Sequence, residues 1–344
     1  MKQDYNFEKY LEKSLSITKN DTDYEKKPKK LSSQYYDDLK QRLLVEYENR
    51  SIKDVMNCRI QKTSCGDVLK ITKKEKINFN IKDNDFKTQL NSNLKLLPKI
   101  GLKTEENLKS KGYTTIESLK NHDRYCDVAS KFLSEIDGMS YCDVVDILNA
   151  NRYSKKCKDN ILKSISMVDK KDFKFMDIET KGLSNVPIIL IGVAEIKNSH
   201  IIASQYFLRN YTEEASILEA FTSHLDDDSV HVTFNGKTFD VPFIKNRCMY
   251  NRIDADLDLP HLDLRFFAKN LWDSKLPNCQ LQTIEKEIFG IQRHEDVPGR
   301  YIPDYYDTYL EYDNIGPVVP IIEHNAQDII SLASFLEKMY EEVN

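Results

Sequence analysis

The sequence lacks any apolar run long enough to cross a bilayer. The longest, Val186 to Ala194, falls far short of the ~18–20 residues that a spanning helix needs. Its opening stretch, MKQDYNFEKY, is charged throughout and has no apolar core of a secretory signal. None of the 7 cysteines stands in a CxxC pair, and their number is odd, so neither a zinc knuckle nor a disulfide framework is indicated. These absences predict reduced thiols in a soluble cytoplasmic protein that makes no membrane contact. There is no overall basic excess either, since 50 Lys and Arg face 55 Asp and Glu for a net charge of −5. A nucleic-acid enzyme still needs positive potential somewhere on its surface. Here residues 1–166 are mildly basic and residues 167–344 strongly acidic. Basic modules holding a backbone beside an acidic site holding metal account for that split, and so does an ordinary solvated acidic surface.

What is present is a chain of 344 residues, 40% hydrophobic and 31% charged. That is globular composition, and its length suggests two or three domains at about 100–200 residues each. Residues 1–30 form a polar tail with the basic run Lys26-Lys27-Pro28-Lys29-Lys30. Residues 31–90 hold a helix, with Tyr36, Leu39, Leu43 and Tyr47 at helical spacing, and then an alternating stretch over 59–81 that predicts a β-hairpin. Residues 91–167 read as a helical module. In it Leu97-Pro98-Lys99-Ile100-Gly101-Leu102-Lys103-Thr104 leads into a helix over Glu105–Lys111, and a second helix begins near Tyr113 behind a Thr114 or Thr115 cap. Residues 168–344 change texture. Strands are predicted at 173–178, 188–196, 200–207 and 229–234 and helices at 213–225 and 241–251, the order of an α/β fold with a mixed sheet flanked by helices.

Three acidic motifs lie in that last region. Asp177-Ile178-Glu179 ends a strand, where residues two apart face the same way, so both carboxylates project together. Two solvated acids at a strand end would look the same. Phe234-Asn235-Gly236-Lys237-Thr238-Phe239-Asp240 closes a strand on a turn dipeptide and opens a helix at Asp240, which could equally be a cap. His324-Asn325-Ala326-Gln327-Asp328 is helical, setting His324 and Asp328 one turn apart on one face. An imidazole there can orient or deprotonate water beside a metal-bound carboxylate, or simply pair with it in solvent. Asp263 is a further acid that could be a helix cap, and Tyr301, Tyr305, Tyr306, Tyr309 and Tyr312 are expected to pack.

Taken together and in this order, the motifs resemble the three exonuclease motifs of the DEDD superfamily. The text between them resembles its YprB-type ribonuclease-H-like branch, through His261-Leu262-Asp263-Leu264-Arg265, Asn278-Cys279-Gln280-Leu281-Gln282-Thr283-Ile284-Glu285, Arg293-His294-Glu295-Asp296-Val297-Pro298-Gly299 and Ile302-Pro303 with its tyrosines. The likeness runs over residues 172–340. It implies a ribonuclease-H-like fold and a metal-dependent 3′–5′ exonuclease acting on single-stranded ends, with an internal-cutting endonuclease or resolvase and a non-catalytic nucleic-acid-binding protein as the alternatives. It implies two Mg²⁺ or Mn²⁺ ions held by Asp177, Glu179, Asp240 and Asp328, with Asp177 bridging, and His324 acting on water. In the histidine-bearing DEDD enzymes the histidine stands five residues before the last aspartate, whereas here His324 takes the four-residue spacing of the tyrosine-bearing group. Residues 94–165 resemble helix–hairpin–helix modules, whose hairpin presents backbone N–H groups to a phosphate. Gly101, Lys103 and Thr104 would make that contact, although Lys103 stands where the full pattern has a second glycine. Asn235 is a further candidate to touch nucleic acid, with DNA favoured over RNA.

Overall fold

Seven strands build one sheet: β1 (Cys58–Thr63), β2 (Gly66–Lys76), β3 (Phe173–Thr180), β4 (Ile188–Lys197), β5 (His200–Phe207), β6 (Val230–Thr233) and β7 (His261–Asp263). The computed structural model describes residues 33–81, 86–136, 138–150, 157–293 and 295–344; the expected polar tail with its basic run lies outside them. The strand order is β1-β2-β5-β4-β3-β6-β7. β3 pairs antiparallel with β4 and parallel with β6, and β7 continues parallel to β6. This is the mixed sheet of a ribonuclease-H-like α/β fold, and each predicted strand of the last region is there. β7 was not foreseen, because three residues carry no readable period.

The N-terminal hairpin does not stand apart as a separate region over 31–90. β2 pairs along its length with β5, from Leu69 opposite Phe207 to Lys76 opposite His200. The physical reason is that β5 would otherwise be an open edge, and Leu69 and Ile71 complete the core beneath it. The helix before it, α1 (Ser33–Glu46), buries Tyr36, Leu39 and Leu43 in the same core. Gly316 packs so closely on the Leu43 carbonyl that no side chain fits between them.

Residues 86–150 form a second, purely helical core from α2 (Phe86–Asn91), α3 (Leu102–Ser110), α4 (Cys126–Ile136) and α5 (Tyr141–Ala150), and α6 (Cys157–Ser164) leads out of it. The helix expected from Tyr113 is a short 3-10 turn, Glu117–Asn121, and the next α-helix waits until Cys126. Hydrogen bonding, both local and to Asn91, explains this. The Ser118 amide donates to Thr115 Oγ1 at 3.1 Å, the Thr115 amide donates to Ser118 Oγ at 3.2 Å, and the Ile116 amide is taken by the Asn91 carbonyl at 2.7 Å. Gly101 caps α3 in extended conformation, with Lys103 exposed on its first turn.

The remaining helices cover the sheet: α7 (Glu214–Thr222), α8 (Asp240–Asn251), α9 (Leu264–Trp272), α10 (Leu281–Phe289), α11 (Ile302–Tyr312) and the long α12 (Val319–Val343). Tyr305 and Tyr306 are packed as expected, each spending its hydroxyl on a backbone carbonyl, of Tyr36 and Leu208 respectively. Among the described residues no helix is long and apolar enough to cross a membrane.

Candidate active site

Asp177 and Glu179 alternate on β3 toward the face that α12 covers. Opposite Asp177 on β4 lies Gly192, and the absence of a side chain there lets α12 come down onto the sheet. A Cβ at Gly192 would run into the Asn325 amide and reach Ile329 at 3.1 Å. That close approach puts Asn325 Nδ2 2.9 Å from Asp177 Oδ2 and 3.1 Å from the Asp177 carbonyl. One residue before Asn325 and three after it, His324 and Asp328 face the same acids. His324 Nε2 lies 3.7 Å from Glu179 and 3.4 Å from Asp328 Oδ2.

Asp240 arrives from the third element. The Asn235-Gly236 turn, with Asn235 in left-handed backbone (φ 72°), swings the chain from β6 into α8. The Ile178 amide donates to Asp240 Oδ1 at 3.1 Å, so Asp240 reaches across to β3. Asp263 holds the turn, accepting from the amides of Asn235 (2.8 Å) and Lys237 (3.1 Å) while capping α9 through the Arg265 amide. Its duty is therefore to brace the strand–helix junction. Arg265 ties Asn235 Oδ1 at 2.8 Å, which makes that side chain part of the same brace.

The four acids thus meet on one face of the sheet. Asp240 and Asp328 are buried, and the Glu179 side chain keeps 12% of its surface exposed, leaving an approach from outside. Burial is the largest influence on all four and pushes each upward in pKa. Mutual repulsion adds to it, with Asp240, Asp328 and Glu179 all acting on Asp177, which lies well above the ordinary carboxylate range. Burial carries Asp240 to about 7, against the pull of the Ile178 amide. It carries Glu179 to about 8, against the attraction of His324.

Positive charge enters from a segment whose role could not be assigned from sequence. Arg293 binds Glu285 through two nitrogens, at 2.7 and 2.9 Å, and pairs with Asp328. Asp296 pairs with His324 Nδ1. Burial works against charging His324, but Asp328, Asp296 and Glu179 outweigh it and hold the imidazole up at about 9. It is therefore protonated at neutral pH, a cation among acids rather than a free base. Arg293 and Asp296 stand in a loop 28 to 35 residues from His324 and Asp328, contacts that no periodicity announces. Asn325 sat inside a legible motif, yet only the strand–helix approach at Gly192 reveals its use.

Among the described residues no three His, Cys, Asp or Glu side chains converge as a ready-made metal cage. Each acid is engaged by a protein donor or cation: Asn325, the Ile178 amide, His324 and Arg293. The donor set nevertheless fits a hard divalent cation, being four carboxylates whose shared burial is unfavourable without added positive charge. Beside the cluster a cavity of about 830 Å³ runs between α12, α1 and β2, with Arg293, Asp296 and His324 in one wall and Tyr47 and Lys73 in another.

Residues 174–340 match the family model described as the RNase_H superfamily. The chain is also similar to the uncharacterized protein YprB of Bacillus subtilis (strain 168), 32% identical over 180 residues. That match takes in 51% of this chain and 43% of YprB, so the chain spans less than half the length of the relative it matches.

Proposed function

Because residues 174–340 form an RNase H-like domain, we propose that the chain is a metal-dependent nuclease that removes nucleotides 3′ to 5′ from single-stranded nucleic-acid ends. The observation that carries this reading is the meeting of Asp177, Glu179, Asp240 and Asp328 on one sheet face, with pKa values raised by burial and mutual repulsion. Two Mg²⁺ or Mn²⁺ ions held by these acids would supply a polarised water and neutralise charge building on the phosphate. The chain's own residues prepare that event. Asn325 orients the Asp177 carboxylate, and the Ile178 amide orients Asp240. Glu285 fixes Arg293, which in turn sets Asp328. His324, held by Asp296, presents Nε2 toward Glu179 and Asp328, where it would position water and move a proton. Gly101, Lys103 and Thr104 would hold phosphates at the start of α3.

The test is a single-stranded oligonucleotide labelled at its 5′ end, incubated with Mg²⁺ or Mn²⁺. Stepwise shortening from the 3′ end, lost in Asp177→Ala with binding retained, supports the proposal. A single internal product points instead to an endonuclease. Intact DNA and RNA substrates with either metal would make the protein a binding module.

A further inference from the structure

The seven-stranded sheet has a second face, away from α12, and the N-terminal hairpin leaves part of it bare. Strand alternation puts Arg59 of β1 and Lys70 and Thr72 of β2 on that face. Arg59 and Lys70 are direct cross-strand partners, a like-charge pairing that costs stability unless something negative bridges it. Lys70 is in turn opposite Tyr206, with its ammonium 5.5 Å from the ring. Lys197 of β4 rims the same hollow, whose volume is about 380 Å³ and which is also lined by Asn57, Thr72 and Ser204.

The one carboxylate in the hollow is already committed. Glu195 takes Lys174 at 2.9 Å, His224 Nδ1 at 3.0 Å and Lys197 at 3.2 Å, and His224 Nε2 goes on to the Tyr206 hydroxyl at 2.7 Å. Among the described residues Arg59 and Lys70 have no carboxylate in ion-pair range. Burial and then the repulsion of Arg59 press Lys70 below its ordinary pKa, so its charge is held at a cost that an incoming anion would relieve. Neutral donors alternate with cations around the hollow, which suits a tetrahedral oxyanion.

We infer that this hollow, built by Arg59, Lys70 and Lys197 on the sheet face opposite the acids, is a binding site for the phosphodiester backbone of nucleic acid. Its row of the sheet, Arg59-Lys70-Tyr206-Ile191-Ile178, ends next to Asp177, with Lys70 three strand spacings of about 4.8 Å from Ile178. The site therefore holds the polymer at a distance from the cut, which gives the basic N-terminal half a task that the acidic cluster cannot perform. This rests on the nucleic-acid reading above.

The experiment measures binding of a fluorescent single-stranded oligonucleotide by anisotropy in EDTA, over a salt series, so that cleavage plays no part. Arg59→Gln/Lys70→Gln should weaken binding about tenfold and make the logarithmic salt slope shallower by about 1–2. A control removing equal charge far from both faces of the hairpin, Lys269→Gln/Lys275→Gln at and just beyond the exposed end of α9, should change neither. Matching melting temperatures check the fold, and Arg59→Gln alone serves if the double variant unfolds, because Arg59 is exposed. Equal weakening in both double variants, or in neither, overturns the site. So does inorganic phosphate that binds the wild type and not the variant while oligonucleotide affinity is unchanged. A wild type that binds oligonucleotide without cutting it leaves this inference standing and removes the nuclease reading, whereas one that binds none removes both.

Discussion

At the scale of single residues, the acid cluster trades stability for chemistry. Asp177 is forced into an apolar, like-charged setting, so Asp177→Asn should raise the stability of metal-free protein by about 1 kcal/mol while abolishing cleavage. Thermal unfolding in EDTA checks the first half and the oligonucleotide assay the second. The pH dependence has a definite sign. Asp240 at about 7, Glu179 at about 8 and His324 at about 9 all lie above their unfolded values, so between pH 7 and 9 the folded chain binds more protons than the unfolded one. Stability of metal-free protein must then fall as pH rises through that window. Buried His231 and His261, lowered to about 4 and about 3 by desolvation, act in the opposite sense but only below their ordinary value, outside the window. A melting temperature in EDTA that holds or rises from pH 7 to 9 contradicts this, as does failure of Mn²⁺ to restore it. Arg293→Gln strands Glu285, which is 1% exposed, and should cost about 3 kcal/mol, with Arg293→Lys recovering little because an ammonium cannot match the two-point contact. Denaturant midpoints of the three proteins decide it.

At the scale of elements, the junction of β4 with α12 sets the site. Gly192→Ala should lift α12, cost about 1–3 kcal/mol and detach Asn325 from Asp177, lowering kcat more than it changes oligonucleotide affinity. Unchanged kcat with intact affinity would sink that account. The same junction shows what was legible in the sequence. β3, β4 and β5 could be read because each is rich in Ile, Val or Phe and is bounded by turn residues. The acids could be read because each sits at an element end with its own short motif. The turn at Glu117–Asn121 could not, since its form depends on a bond from Ile116 to Asn91, far back in the chain. Arg293 and Asp296 were hidden for the same reason: they act by contact across a loop, and a loop has no period.

At the scale of the whole molecule, the N-terminal hairpin and α1 are structural members of the sheet. Leu39, Leu43, Val68, Leu69 and Ile71 are all buried, at about 1.5–3 kcal/mol each. Their sum rivals the entire stability of an ordinary domain. A fragment of residues 168–344 should therefore fail to melt cooperatively by circular dichroism, and a soluble fragment with a sharp transition would make the hairpin an accessory. Part of the charge split of the sequence also gains a spatial form, the four acids under α12 and Arg59 and Lys70 of the N-terminal half on the far face of the sheet.

Asn325 clasps Asp177 across a sequence separation of 148, and the parallel pairing of β3 with β6 spans a similar gulf in miniature. Contacts so remote along the chain close late in folding. A half-synthesised or partly denatured copy therefore has its first two acids without the helix that completes them, and on the proposed function such a copy would not cut nucleic acid. On that reading, assembly of the site would be coupled to the last act of folding through topology alone.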